Sequence, residues 1–143
     1  MDVEIKIVKA AREKSDVIAI RRSVFIEEQN IPETIEIDAN EDKASYVLAY
    51  ADGNPVGTAR WRETQSGIKL ERFAVLKEYR SYGIGKQLTK FILNQIEGHK
   101  AIYLNAQESV IPFYENCGFK IVGEKFEEAG GISHQKMLYP KGE

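Results

Sequence analysis

The sequence predicts a single α+β domain with a mixed, mostly antiparallel sheet, a central β-α-β crossover and helices on both faces. Its 143 residues are the length of one ordinary domain, and no linker, repeat or low-complexity stretch divides them. Hairpin-forming runs flank a central strand, helix, strand succession, so we expect one parallel pair among antiparallel neighbours. We therefore expect residues 1–143 to form one domain.

Composition excludes several classes of protein. Twenty Lys and Arg residues against 22 Asp and Glu residues give a net charge of -2, which argues against a nucleic-acid partner bound by bulk charge. One cysteine and two histidines allow no internal disulfide and make a structural metal site improbable. The N-terminal stretch MDVEIKIVKAAREKSD lacks a signal-peptide core, and no run has transmembrane length, so no membrane partner and a cytoplasmic location are expected.

The first half of the chain alternates strand and helix signals. Apolar residues at every second position of residues 3–7 predict a strand. A helix is expected to begin at Ser15, as N-cap, with Asp16 in its first turn, and to end near Asn30. The acidic stretch IPETIEIDANED predicts a loop or a broken helix. SYVLAYA and VGTARWRET, separated by a turn at 52–55, predict a hairpin, to which IKLERFAV adds a third antiparallel strand.

The second half begins with an amphipathic helix expected from about Ile84 to Glu97. AIYLNAQ predicts a short buried strand, and VIPFYENCG predicts a short helix that ends at Gly118. FKIVGEKF and SHQKMLY, joined by a turn at 129–131, predict a final hairpin.

The stretch RSYGIGK stands where a strand gives way to a helix. Backbone N–H groups of residues 81–86 would then lie at the positive end of that helix, which favours an anion. Gly83 and Gly85 permit positive φ and a close approach of the backbone to a ligand. Positive charge for a phosphate would come from Lys77, Arg80 and Lys86. A tight turn whose glycines serve only packing is the alternative.

The two common nucleotide patterns are incomplete. Gln87 follows Gly-Lys where a P-loop has Ser or Thr. Leu88 replaces the third glycine of the dinucleotide fingerprint, and Asn105 stands where an acidic ribose partner is expected. A nucleotide-binding module is therefore disfavoured.

Two motifs in order resemble the GNAT superfamily of acetyl-CoA-dependent N-acetyltransferases. They are R-x-x-G-x-G after a strand ending in AV, and PFYENCGF farther along the chain. The resemblance covers roughly residues 3–139. The segments VFIEEQNIPETIEID, TARWRE, LERFAV, LNAQ and GISHQKM are similar to the small bacterial ElaA/YjcF-like group within that superfamily.

This resemblance implies where coenzyme A would bind. Its pyrophosphate would lie on the glycine turn, and its pantetheine arm would pair with the backbone of residues 73–75, where the Val75 N–H would polarise the thioester carbonyl. Gln107 stands where many relatives have Asn, so Asn105 is an alternative contact. The implied cofactor-binding residues are Phe73, Ala74, Val75, Arg80, Ser81, Tyr82, Gly83, Ile84, Gly85, Lys86, Asn105, Gln107, Phe113 and Tyr114.

The resemblance also implies that Tyr114 is the general acid for the leaving thiolate, with plain core packing as the alternative. Cys117 is interpreted as a small helix-end residue because no histidine lies near it in sequence. The general base stays open, although imidazole is the side chain that ordinarily titrates near neutral pH. Its candidates are Glu71, His134, Glu28 and Asp38.

Three arginines and Trp61 form a basic and aromatic cluster on adjacent predicted strands. Arg60 and Arg62 should share one face, and together with Arg72 they would bind an acidic substrate group or pair with Glu71 and Asp38. The candidate substrate-binding residues are Glu28, Gln29, Asp38, Arg60, Arg62 and Arg72.

The sequence therefore predicts an acetyltransferase that moves an acetyl group from acetyl-CoA to a primary amine of a small molecule or peptide. Direct attack, with no covalent enzyme intermediate, is expected. A noncatalytic acyl-CoA sensor is the alternative, and a homodimer is compatible with the sequence without being specified by it.

Overall fold

The computed structural model describes residues 1–96, 101–128 and 131–140. The strands are β1 (Val3–Ile7), β2 (Ser45–Ala51), β3 (Asn54–Thr64), β4 (Gly67–Val75), β5 (Ile102–Gln107), β6 (Lys120–Ile121), β7 (Phe126–Glu128) and β8 (Ile132–Tyr139). The α-helices are α1 (Ala11–Arg21), α2 (Glu33–Glu36), α3 (Ile84–Gln95) and α4 (Ile111–Asn116). A π-helical segment, Arg22–Glu28, continues α1, and single 3-10 turns lie at Lys77–Tyr79 and Glu108–Val110. Within the described ranges, no helix has the length and apolar character needed to cross a membrane.

One sheet contains all of these strands. Its order is β1-β2-β3-β4-β5-β8-β6, and β7 also pairs with β8. Every pairing is antiparallel except that of β4 with β5, which α3 connects as the crossover helix. The predicted α+β fold with a mixed, mostly antiparallel sheet is confirmed.

The two faces of the sheet bury separate cores. Val47 and Ala49 of β2 belong to a cluster that includes Leu88 of α3, whereas Leu48 between them belongs to a cluster with Val17 of α1. Because successive side chains of a strand point to opposite faces, α1 and α3 cover opposite sides of the sheet. The predicted helices on both faces are therefore present.

Helix α1 begins earlier than the sequence pattern predicts. It starts at Ala11 rather than after Ser15. The carboxylate of Glu13 accepts hydrogen bonds of 2.8 Å from the backbone N–H groups of Lys9 and Ala10. These bonds satisfy donors that a helix start leaves unpaired, so a side chain inside the first turn replaces the expected N-cap.

The last hairpin is more divided than predicted. FKIVGEKF forms two short strands, β6 and β7, rather than one. Gly123 between them has φ +74°, and the side-chain amide of Gln135 donates to the carbonyl oxygens of Val122 and Gly123. The expected turn at residues 129–130 lies outside the described residues, as does Glu97, the expected end of α3; the helix ends at Gln95.

Strands β4 and β5 pair over only part of their length. Their register joins Ile68 to Ile102 and Leu70 to Leu104 and goes no farther. Beyond this point β4 contains an irregularity against β3, and Arg72 has φ +58°. A bulge of this kind bends a strand and increases its twist, so β4 leaves β5 and opens a gap between the two central strands.

Replacing Gly67 by Ala tests the turn into β4. Gly67 has φ +132°, and an added Cβ would overlap the carbonyl oxygen of Ala101, which accepts a hydrogen bond of 2.7 Å from Ile68. We expect Gly67→Ala to lower the free energy of unfolding by at least about 2 kcal/mol, measured by urea denaturation. Gly53→Ala is the control, because Gly53 has φ +86° with open space around it and should lose only about 1 kcal/mol. Equal losses would contradict the contact with Ala101.

Candidate active site

A cavity of about 540 Å³ lies between the separated ends of β4 and β5 and reaches the start of α3. Many of the predicted site residues line it: Gln29, Glu71, Arg72, Phe73, Ala74, Val75, Arg80, Ser81, Gly83, Ile84, Gly85, Asn105, Gln107, Phe113, Tyr114 and His134. The other predicted residues do not: Glu28, Asp38, Arg60, Arg62, Tyr82 and Lys86. The residues that line the cavity come from several separate segments of the chain, whereas Asp38, Arg60 and Arg62 lie outside its lining.

The glycine turn presents backbone donors to the cavity. Gly83, with φ +80°, caps the N-terminus of α3, and Ser81 also has positive φ at +73°. Helix starts leave their first N–H groups without partners in the helix, and these groups attract an anion. A Cβ on Gly85 would come within 3.1 Å of the ring of Phe113, so this glycine allows α3 to pack against the α4 segment.

Arg80 lines the cavity and is paired with a carboxylate. Its Nη1 and Nη2 each lie 2.7 Å from a carboxylate oxygen of Glu28, and its Nε donates to the carbonyl oxygen of Val75 at 2.9 Å. The hydrogen bond from Arg80 lowers the pKa of Glu28. This pair connects the end of the π-helical segment to the turn beside the cavity.

Tyr114 is buried and lines the cavity. Its ring makes edge contacts with Phe73, Phe113 and Phe119 at centroid distances of 5.5, 5.0 and 6.0 Å. Burial, with a smaller contribution from Cys117, raises the pKa of the Tyr114 phenol above its ordinary value. The phenol is therefore protonated at neutral pH and able to donate.

Cys117 lies one residue past α4, where it caps the helix. Burial raises the pKa of its thiol, against a smaller opposing hydrogen bond from Thr89. A raised pKa disfavours the thiolate, which is the nucleophilic form. The structure thus supports the interpretation of Cys117 as a helix-end residue.

His134 lies on the other wall of the cavity, on β8. Its Nδ1 is 2.8 Å from the carbonyl oxygen of Ile132, and its ring stacks on Phe126 at 5.9 Å. A carbonyl oxygen only accepts, so Nδ1 carries a proton in this hydrogen bond, and in the neutral imidazole Nε2 is the accepting nitrogen.

Gln107 is the cross-strand neighbour of His134, and its side chain contacts Gln29 at the end of the π-helical segment. Its amide nitrogen lies 3.0 Å from the side-chain oxygen of Gln29. Gln29 follows the π-helical segment, whose wider turn bonds the Gln29 N–H to the carbonyl oxygen of Val24. The long amide of Gln107 thus reaches across the cavity to the opposite wall.

Glu71 is surrounded by three cations. Its oxygens lie 2.6 Å from Nη2 of Arg60, 2.7 Å from Nε of Arg62 and 3.3 Å from Nζ of Lys69. Burial acts to raise the pKa of Glu71, but the hydrogen bond from Arg62 and the charges of Arg60 and Lys69 outweigh burial and lower the pKa to about 2. A carboxylate of this kind is a poor proton acceptor, which argues against Glu71 as the general base.

Arg21, Arg60 and Arg72 are engaged in one ionic network, of which Arg72 also lines the cavity. Asp38 accepts from Arg60 at 2.8 Å and from Arg72 at 3.1 Å, which also excludes Asp38 as a free base. The remaining contacts are Arg72 with Glu36, Arg21 with Glu36 and Glu41, and Arg60 with Glu41. Arg21 and Arg60 are fully buried, so these pairs attach the segment after α2 to the sheet.

Two features of this network escaped the sequence analysis. Lys69 lines the cavity and shares a strand face with Glu71, two residues away, so strand alternation was a usable signal. Arg21 lies on the face of α1 that also carries Val17 and Ile20, and its helical position indicated burial. Nothing in the sequence of the acidic stretch identified Glu36 and Glu41 as its partners.

The low pKa of Glu71 makes stability depend on pH. A carboxyl whose pKa falls on folding, here from 4.5 to about 2, stabilises the fold above pH 4.5 and loses that contribution as pH falls toward 2. We expect Glu71→Gln to be less stable than the wild type at pH 7, with a difference that shrinks between pH 4.5 and 2.5 in urea denaturation. Exposed Glu4→Gln is the control. A difference for Glu71→Gln that stays constant over this range would contradict the account.

Comparisons with known proteins show the family of this chain. The family described as an acetyltransferase (GNAT) domain matches residues 10–140. The uncharacterized N-acetyltransferase YjcF of Bacillus subtilis is 36% identical over 134 residues, which are 92% of this chain and 96% of that protein.

Solved structures share the fold. The crystal structure of Escherichia coli ElaA superposes with a TM-score of 0.85 at 24% identity, covering 97% of this chain and all of that chain (100%). A GNAT family acetyltransferase from Elizabethkingia anophelis, crystallised with acetyl-CoA bound, gives a TM-score of 0.67 at 15% identity, covering 95% of this chain and 96% of that one. The predicted resemblance to the ElaA/YjcF-like group is confirmed. The chain belongs to the GNAT acetyltransferase family.

Proposed function

We propose that this chain is a single-domain N-acetyltransferase that moves an acetyl group from acetyl-CoA to a primary amine of a small molecule or peptide. The observation that carries the proposal is the cavity between β4 and β5, which joins the glycine turn to Tyr114 and His134. A donor-rich anion site, a phenol and an imidazole on one cavity are the groups that direct acetyl transfer to an amine requires. A cytoplasmic location stays a prediction.

The residues of the cavity fit coenzyme A. The backbone donors at Gly83 and its neighbours suit a pyrophosphate, and no side-chain atom lies within 4 Å of the space that a Cβ on Gly83 would occupy. Residues 73–75 lie past the point where β4 stops pairing with β5, so their backbone groups on that side are free of the ladder and suit an extended arm. Acetyl-CoA would supply an acetyl group already activated as a thioester.

The reaction needs two proton transfers, of which His134 would carry out one and Tyr114 the other. As the C–N bond forms and the thioester C–S bond breaks, Nε2 of His134 takes the proton that the amine loses. The Tyr114 hydroxyl gives its proton to the departing thiolate, and its raised pKa keeps that proton in place until then. Of the four candidate bases, we retain His134, because Glu28, Asp38 and Glu71 are each paired with arginine.

Tyr114→Phe tests the acid. Phe keeps the ring contacts with Phe73, Phe113 and Phe119 but removes the proton, so we expect kcat to fall about 10²–10⁴-fold. Release of the coenzyme A thiol would be followed with a thiol reagent across a panel of primary amines. The affinity for coenzyme A, measured by calorimetry, should change little. Unchanged kcat would exclude Tyr114 as the acid, and binding of acetyl-CoA without thiol release for any amine would favour a noncatalytic sensor.

His134→Gln tests the base. Gln keeps a polar group of similar reach but cannot take the proton of an ammonium group, so we expect kcat/KM to fall about 10²–10⁴-fold at neutral pH. Raising the pH converts more of the substrate to free amine and should recover part of the loss. A folded variant with wild-type kcat/KM and a wild-type pH profile would rule His134 out.

A further inference from the structure

The face of β3, β4, β5 and β8 beside the cavity carries cations in excess. Register places Arg62 opposite Lys69, and Lys69 beside Tyr103. Like charges directly opposite each other on neighbouring strands destabilise a sheet unless an anion lies between them. Glu71 is the carboxylate that pairs with both Arg62 and Lys69, but it also pairs with Arg60.

A third cation completes this group. Lys136 lies on β8, two residues from His134 and therefore on the same face. Its ammonium lies 4.9 Å from the centre of the Tyr103 ring. Within the part of the chain that the structure describes, no carboxylate is found in an ion pair with Lys136, and the contacts of Arg62 and Lys69 go to Glu71 alone. The group therefore has three positive charges and one negative charge.

These cations differ from the arginines deeper in the wall. Arg60 is fully buried and has Asp38 and Glu41 as well as Glu71, so its charge is balanced inside the protein. The side chains of Arg62 and Lys69 are 20% and 14% exposed, and Lys69 lines the cavity itself. Lys69 can thus be reached from inside the cavity, and Arg62, which shares Glu71 with Lys69 but does not line the cavity, is partly exposed beside it.

We propose that the acceptor carries an anionic group, a carboxylate or a phosphate, which Arg62, Lys69 and Lys136 bind while its amine faces His134. This inference rests on the proposed acetyltransferase function and narrows its substrate. Strand geometry sets the spacing between backbone positions: Lys136 is two residues from His134, about 7 Å along β8. The register places Lys69 about 13 Å from His134 along the strand direction and two strands, about 10 Å, to the side, with Arg62 one strand farther. The acceptor is therefore an amine separated from its anionic group by a chain of several atoms, rather than an α-amino acid reacting at its α-amine.

The test compares matched acceptors with the full-length protein. We expect kcat/KM for 6-aminohexanoate to exceed that for hexylamine by about 10–100-fold, the usual effect of a hydrogen bond to a charged group. Aminohexyl phosphate, as a separate arm, distinguishes phosphate from carboxylate recognition. Glycine should be a poor acceptor. Added salt should reduce the preference, because the cations are partly exposed. Equal kcat/KM for 6-aminohexanoate and hexylamine in the wild type would overturn the proposal.

Variants of Lys69 and Lys136 test whether these residues cause the preference for 6-aminohexanoate over hexylamine. Lys136→Met and Lys69→Met should each lower the ratio of kcat/KM for 6-aminohexanoate over hexylamine by about 10-fold. Lys136→Glu should reverse the preference. Lys90→Met, on the exposed side of α3, is the control and should keep the wild-type ratio. Thermal unfolding checks that each variant is folded. A wild-type ratio in both folded methionine variants would contradict the assignment.

A binding readout separates this inference from the proposed function. If no amine releases thiol, 6-aminohexanoate would be titrated into the protein saturated with coenzyme A. Binding that Lys136→Met abolishes would support the anion site while the transferase function fails. Absence of binding in the wild type would overturn the anion site as well.

Discussion

The pairing of β4 with β5 stops at Leu70 and Leu104, and the site depends on that interruption. A parallel pair that continued to Val75 would fill the space that is now a cavity and would occupy the backbone groups of residues 73–75. The bulge at Arg72 turns β4 away from β5, and its positive φ of +58° is a costly conformation for a residue with a side chain. The sheet lacks ladder hydrogen bonds at its centre, because the cavity lies where β4 and β5 would otherwise pair.

The buried ionic network holds this opened sheet in place. Arg72 at the bulge contacts Glu36 and Asp38, and Glu36 in turn binds fully buried Arg21 of α1. Buried ion pairs seldom add much net stability, but loss of one partner is costly, so they fix geometry more than they stabilise the fold. Here they fix the segment after α2 against the strand that leaves the ladder. In the same network Asp38 and Glu71 are paired with arginine, so neither is a free base. His134 is therefore the base in the proton transfer that we propose.

The sequence predicted the elements better than it predicted the side-chain partners. Alternation along β2 to β4 and the helical face of α3 are local signals, and both were read correctly, as was Gly118 at the end of α4. The start of α1 was missed because Glu13 caps it from inside the helix. The pairing of Arg80 with Glu28 joins residues 52 positions apart, and no local pattern reveals which carboxylate a cation meets. Tyr114 was predicted as a site residue from its resemblance to a family motif, and it lines the cavity. Lys69, which the sequence analysis missed, also lines the cavity and could have been identified from the two-residue period of its strand.

The most direct test of the account is a calorimetric titration of the purified chain with acetyl-CoA, coenzyme A and ATP, with Gly83→Val as the comparison. The account predicts that acetyl-CoA and coenzyme A bind the wild type and that ATP does not compete with them. It also predicts that Gly83→Val weakens both, because φ at this position is +80° and its Cβ would enter the space assigned to the pyrophosphate. Absence of binding by acetyl-CoA and coenzyme A, or wild-type affinity in a folded Gly83→Val variant, would contradict the proposed site.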